Sequence, residues 1–322
     1  MTFDLLAQQP KLTELLRGVA AFAAVVGLIL LVLHRPRPRR RGAALLLLAP
    51  ATALLTAGLL IPGLRTLVLS FLDDEGHTWA GLDNYAWLFT DPTALGALRN
   101  TLVWVLLVPP LVTAVGLLYA AVVVRSRLRA PALALLLLPM AISFVGAGVV
   151  WKFVYAYRPA GADQIGLLNQ LVVAFGGTPR QWLVESPWNV LLLVVVMVWT
   201  QAGFAALLLA GAIAAVPAEI TEAARLDGAS PRQVFRHITL PAIRPALTVV
   251  LLTETTATFK AFDIVRAMTG GHFDTAVLAH EMYDQALRHG RSGRGAALAV
   301  LLFVLVTPVA AAMAARARRR AG

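Results

Sequence analysis

Seven stretches of this 322-residue chain are apolar over the length of a membrane-crossing helix: roughly 14–33, 43–71, 100–124, 131–155, 188–214, 245–268 and 295–315. A bilayer takes about 20 helical residues to cross. In lipid a helix satisfies its own backbone polar groups, so apolar runs of this length read as transmembrane helices. Only 14% of the residues are charged, against about a quarter in a soluble protein, and the mean hydropathy is +0.75. The fold class expected is therefore all-α, a polytopic transmembrane helical bundle of about seven spans.

The net charge of +11 would point to nucleic acid in a soluble chain. Its distribution argues against that partner. Arg35, Arg37, Arg39, Arg40 and Arg41 form one cluster, Arg125, Arg127 and Arg129 another, and Arg316, Arg318, Arg319 and Arg320 a third. Each follows an apolar run, as the positive-inside rule requires of cytoplasmic loops. Segments 34–42, 125–130, 215–244 and 316–322 are thus expected inside, and the acidic segments 72–99 and 156–187 outside. Segment 269–294 is mixed in charge. With seven spans, the N-terminus lies outside and the C-terminus inside. The first span lacks a strongly basic start and a clear cleavage site, so it reads as a retained anchor. Residues 1–42 form this anchor with its basic linker, and 43–322 the main transmembrane domain. Trp79, Tyr85, Trp87, Trp151, Tyr155, Tyr157, Trp182 and Trp188 fall near span ends, the positions of an interfacial aromatic belt.

Between two late spans, the chain carries EAARLDGASPRQVFRHITLP, Glu222 to Pro241. Pro217 suits a first helical turn. Glu219 and Glu222 suit the positive end of the helix dipole. Gly228 allows a left-handed stop, and Ser230-Pro231 reads as cap and first residue of a second helix. The spacing predicts a helix–Gly–helix hairpin.

The spacing of Glu222, Ala223, Ala224, Gly228, Ile238, Leu240 and Pro241 resembles the "EAA" loop of permease subunits of binding-protein-dependent ABC importers. Further stretches resemble the α-glucoside branch of the maltose-type sugar permeases. These are Gly81–Tyr85, Ala97–Thr101, Leu138–Ala147, Val150–Tyr155, Gln164–Asn169, Trp199–Phe204, Lys260–Ile264 and Met268–Gly270. Members of that branch also carry an extra N-terminal span like 14–33. The resemblance implies a type I ABC importer permease fold in the cytoplasmic membrane. It implies that loop 215–244 is a coupling segment, with Glu222, Ala223, Ala224, Asp227, Gly228, Ile238, Leu240 and Pro241 its coupling residues. The implied partners are a second homologous permease subunit, two ABC ATPase subunits and an extracytoplasmic sugar-binding protein. The chain has no GxxxxGK[ST] segment, so ATP and magnesium belong to the ATPase subunits, and no cofactor and no catalysis are expected of this chain.

The sixth span is unusually polar. Thr253, Thr256, Lys260 and Asp263 recur at spacings of three and four, as on one helix face. Intramembrane polar groups usually face a bundle interior or a wet cavity. This face, with Thr200, Gln201 and Phe204 of the fifth span, is the expected border of the sugar path. Lys260 and Asp263 are better read as a structural ion pair, and the threonines can instead bond back to their own helix. Glu254 departs from the family pattern and needs a partner or water. The six histidines show no metal-ligand spacing and read as isolated exposed residues. A secondary sugar transporter would need internal repeats and charged relays in several spans. A membrane-embedded enzyme would need clustered acids or metal ligands at an interface. Neither pattern is found.

Overall fold

A computed structural model of the chain describes residues 40–123, 129–159 and 161–321. It falls into two units, residues 1–68 and 69–322. The described part of the first is one helical rod: α1 (Arg40–Leu55), a π-helical turn (Thr56–Leu60) and the start of α2 (Ile61–Leu69). The Ile61 N–H reaches back to Thr56 O. The ladder thus widens by one residue just ahead of Pro62, which has no N–H to continue it. Leu54, Leu59, Leu60, Ile61 and Leu64 are all exposed. A helix apolar all round needs an apolar solvent or another subunit to cover it.

In the second unit, three long helices form the frame: α4 (Pro92–Val123), α8 (Trp188–Ala214) and α15 (Ser292–Ala321). A short α3 (Asp83–Thr90) precedes α4. The core lies where α4, α8 and α12 (Arg244–Phe259) meet. Trp104, Val108 and Val112 pack with Leu193, Met197, Ala205, Leu209 and Val250. Small residues set the helix spacing. A methyl group at Gly116 would lie 2.6 Å from the Ala205 Cβ, and one at Gly203 would lie 2.4 Å from the Leu136 carbonyl oxygen. Without a hydrophobic drive between helices in lipid, such close approach supplies the packing.

Among the described residues, four helices are long and apolar enough to cross a membrane, and two bent pairs raise the number to six. The seventh expected span, 14–33, lies outside the described residues. Two expected spans are not single straight helices. Segment 131–155 is α5 (Arg129–Leu137), a 3-10 turn (Leu138–Ala141) and α6 (Phe144–Val154), with a 99° bend. Pro139 sits in the turn, Ile142 is extended, and the Ser143 side chain caps α6 by accepting from the Gly146 N–H. These local features stop one helix and start another, which apolar character cannot show. Segment 245–268 is also broken. Its helix ends at Phe259, and α13 (Asp263–Met268) begins afresh. α13 packs on α6, with Gly148 against Ala267.

Segments 72–99 and 156–187, expected to lie outside, are held by buried asparagines. Asn84 donates to Ser70 O and Leu72 O. Asn169, on α7 (Leu167–Ala174), is fully buried. It donates to Ala156 O and Arg180 O and accepts from the Trp182 ring N–H. Trp182, and Trp151 edge-on to Trp199 at 5.6 Å, pack inward against the core rather than serving as a belt. Trp79 and Trp188 are exposed, as a belt requires.

Candidate functional site

The charged interruption is a hairpin of α9 (Ala218–Leu226) and α10 (Pro231–Val234). Gly228 has φ +83° between them. Backbone N–H groups of Asp227, Gly228 and Ala229 return to carbonyls of Ala223, Arg225 and Ala224. This closes α9 in the left-handed manner that favours glycine. A Cβ at Gly228 would meet nothing within 4 Å, so the backbone conformation, and not space, calls for glycine. Ser230 and Gln233 form a reciprocal capping box that starts α10. A π-helical turn (Phe235–Thr239) and α11 (Leu240–Ala242) lead through Ile243 into α12.

The two arms differ in burial. α9 buries no residue; Glu222, Ala223, Asp227 and Gly228 are exposed, and Ile220 and Leu226 show apolar side chains to the outside. The return arm is anchored, with Val234, Thr239 and Ile243 buried and Ile238, Leu240 and Pro241 half-buried.

In mid-bundle, the Gln201 Nε2 of α8 donates to the Glu254 Oε2 of α12 at 3.3 Å. Glu254 is fully buried and its Oε1 has no protein partner. A buried carboxylate left half satisfied is costly, and more so inside a membrane. Phe204 is half-buried and one turn from Gln201 on the same side of α8.

The rest of the expected polar face is not brought together. Since α12 stops at Phe259, Lys260 and Asp263 do not continue its register. Both are exposed, and they form no ion pair with each other. Thr256 lies about 200° around the helix from Glu254. Its hydroxyl donates to Leu252 O and lies 3.9 Å from the Met313 sulfur. Thr248, Thr255 and Thr258 likewise donate to their own helix, as does Thr200 on α8.

A further polar region was not legible as such. Segment 269–276 is a knuckle with Gly270, Gly271, Phe273 and Asp274 at positive φ. Asn100 of α4 donates to Asp274 O and Ala276 O, Asn189 of α8 donates to Phe273 O, and the Thr101 hydroxyl accepts from the Leu278 N–H. Beyond it, α14 (Leu278–Tyr283) buries His280 and Glu281. His280 thus corrects the expectation of isolated exposed histidines. Its ring stacks on Phe262 at 5.8 Å, and burial is the main influence lowering its proton affinity.

Comparison with known proteins places this architecture. Residues 96–322 match the family described as binding-protein-dependent transport system inner membrane component. The osmoprotective compounds uptake permease protein GgtC of Synechocystis is 46% identical over 260 residues, covering 81% of this chain and 93% of that protein. The alpha-glucoside transport system permease protein AglF of Rhizobium meliloti is 44% identical over 265 residues, covering 82% and 79%. The fold is similar to that of a bacterial ABC transporter involved in the import of the acidic polysaccharide alginate, with a TM-score of 0.72 at 21% identity over 84% of this chain and 93% of that one. The chain belongs to the family of inner-membrane components of binding-protein-dependent transport systems, and is a multi-pass, non-catalytic permease subunit of an ABC importer.

Proposed function

We propose that this permease carries an oligosaccharide or α-glucoside, delivered by an extracytoplasmic sugar-binding protein. The similarity to the alpha-glucoside permease AglF supports that substrate class. The observation that carries the path is the Gln201–Glu254 contact. The amide and the half-satisfied carboxylate offer donors and acceptors to sugar hydroxyls, and Phe204 offers a ring face one turn away. Thr256, Lys260 and Asp263 drop out of the path, because the helix break and the Met313 contact turn them elsewhere.

The α9–α10 hairpin is the coupling element. Exposed Glu222, Ala223, Ala224's edge, Asp227 and Gly228 meet a cytoplasmic ATPase subunit that holds ATP and magnesium. Ile238, Leu240 and Pro241 transmit its motion into α12, which carries Glu254. The complete importer holds a second homologous permease and two ATPases, with this chain's C-terminus and hairpin in the cytoplasm and its N-terminus outside. Residues 1–42 add an anchor to the transport domain 43–322.

The test is uptake of trehalose and methyl α-glucoside in proteoliposomes holding the complete transporter. Gln201→Ala, Phe204→Ala and Glu254→Ala are each expected to lower uptake tenfold or more. Unchanged uptake and unchanged sugar-stimulated ATPase activity in all three would remove these residues from the path. A secondary transporter would take up sugar without its ATPase, and would tolerate changes at Glu222 and Gly228.

A further inference from the structure

A polar cavity of about 340 Å³ opens between the start of α4 and segment 270–291. It shares no lining residue with the Gln201–Glu254 site. Asn189 ties this region to the first turn of α8, whereas the coupling hairpin follows its last turn. The 27 residues of α8 separate the two ends by about 40 Å.

The cavity wall has unmet hydrogen-bonding capacity. Glu281 is 5% exposed, and the only polar partner of its side chain among the described residues is the Gln285 Nε2, at 2.7 Å. The Gln285 amide oxygen has no partner although the residue is only 5% exposed. Buried polar groups are nearly always satisfied, so such a pair needs an explanation. His280 next to them is fixed and enclosed. A methyl group at Gly271 would lie 2.4 Å from its ring, and its Nδ1 is 3.9 Å from an Asp284 oxygen.

Charge narrows the ligand. Asp284 is already paired with Arg266 at 3.7 Å and Arg288 at 3.2 Å. Asp91 uses one oxygen to cap the N–H groups of Thr93 and Ala94. The acid left open is Glu281, and Arg291 lines the same cavity. An anion would meet the buried Glu281 carboxylate. A free cation would meet Arg291, with the Asp284 carboxylate already taken by Arg266 and Arg288. Neighbouring hydroxyls of a neutral ligand can donate one to Glu281 and one to the Gln285 oxygen, and can accept from Arg291. Trp87 adds an aromatic wall. The volume is at the low end for small-molecule pockets, about 300–1,000 Å³, which suits one sugar ring and not a long oligosaccharide.

We propose that this cavity is a second carbohydrate subsite, in which Glu281, Gln285 and Trp87 hold one sugar ring at the end of the bundle remote from the coupling hairpin. The proposal rests on the sugar-permease reading above. It gives the substrate a holding point before the Gln201–Glu254 contact.

The test uses the complete transporter in nanodiscs with a diazirine-bearing methyl α-glucoside, followed by mass spectrometry of the labelled peptides. Label is expected on peptides covering 83–93 and 276–291, and excess methyl α-glucoside is expected to lower it fivefold or more. Glu281→Leu should abolish this label. Glu281→Gln keeps the shape of the side chain and should lower it about threefold. Gln201→Leu should leave it in place. Native transporter that takes up methyl α-glucoside but gives no competable label there holds only water in the cavity, and the proposal fails. Label that survives both Glu281 variants also overturns it. Native transporter that takes up no sugar at all overturns the sugar-permease reading, and this proposal with it.

Discussion

The two ends of the second unit are built in opposite ways. At one end, Asn84, Asn100, Asn169 and Asn189 are buried and spend their amides on loop carbonyls. Arg291 and Arg294 approach Asp74, and the Ser292 N–H and hydroxyl both donate to Asp74 O. At the other end, α9 buries nothing, and the hairpin is shaped by one glycine that closes α9 and one capping box that starts α10. The first end is fixed from within. The second is shaped locally and left uncovered, as a surface for another chain must be. Between them, the anchored arm, Val234 to Ile243, leads from the uncovered hairpin straight into α12.

Breaking a staple is the largest effect expected. Asn100→Leu orphans the carbonyls of Asp274 and Ala276, at a cost of about 1–3 kcal/mol. A lowered midpoint of thermal unfolding in detergent would register it, and an unchanged midpoint would mean that water replaces the amide. Next comes Gly228→Val. A branched residue at φ +83° costs about 1–2 kcal/mol, and asparagine tolerates the region better. Uptake is expected to fall about tenfold for Val and less than twofold for Asn, with the unfolding midpoint lowered for Val and nearly unchanged for Asn. Equal losses would indicate that the Gly228 backbone itself is gripped. Ser230→Ala removes the cap, worth about 1 kcal/mol or less here. Faster hydrogen exchange confined to residues 231–239 is the expected readout.

The smallest effect concerns Asp73 in the 72–80 turn. Hydrogen bonds from the Thr78 hydroxyl and the His77 N–H lower its pKa from 3.8 to about 2. A depressed folded-state value means that this stabilisation is complete above about pH 4 and is lost as pH falls towards 2. Asp73→Asn should therefore flatten the acid limb of the stability profile, with its loss of stability fully present at neutral pH and vanishing near pH 2. A difference at pH 2 as large as that at pH 7 would contradict the assignment.

Much of this was legible in the chain. Apolar run length announces a helical membrane protein, since no other backbone satisfies itself in lipid so locally. The hairpin was equally readable, because Gly228, Ser230, Pro231 and Gln233 act on neighbours within four residues. The resemblance of Glu222–Pro241 to the EAA loop agreed with the family found by comparison. What misled was periodicity carried through a break. Thr253, Thr256, Lys260 and Asp263 fit one face only if the helix runs on past Phe259, and it does not.

The sequence by itself determined the class of fold, the hairpin and the position of each charge relative to the apolar runs. These follow from interactions between residues close in the chain. Only the tertiary structure decided that Gln201 meets Glu254, 53 residues on, and that Asn100 supports a knuckle 174 residues away. It alone buried Glu281 beside Gln285 in a polar cavity. Contacts at such separation depend on how helices pack and where they break, and no local spacing encodes that.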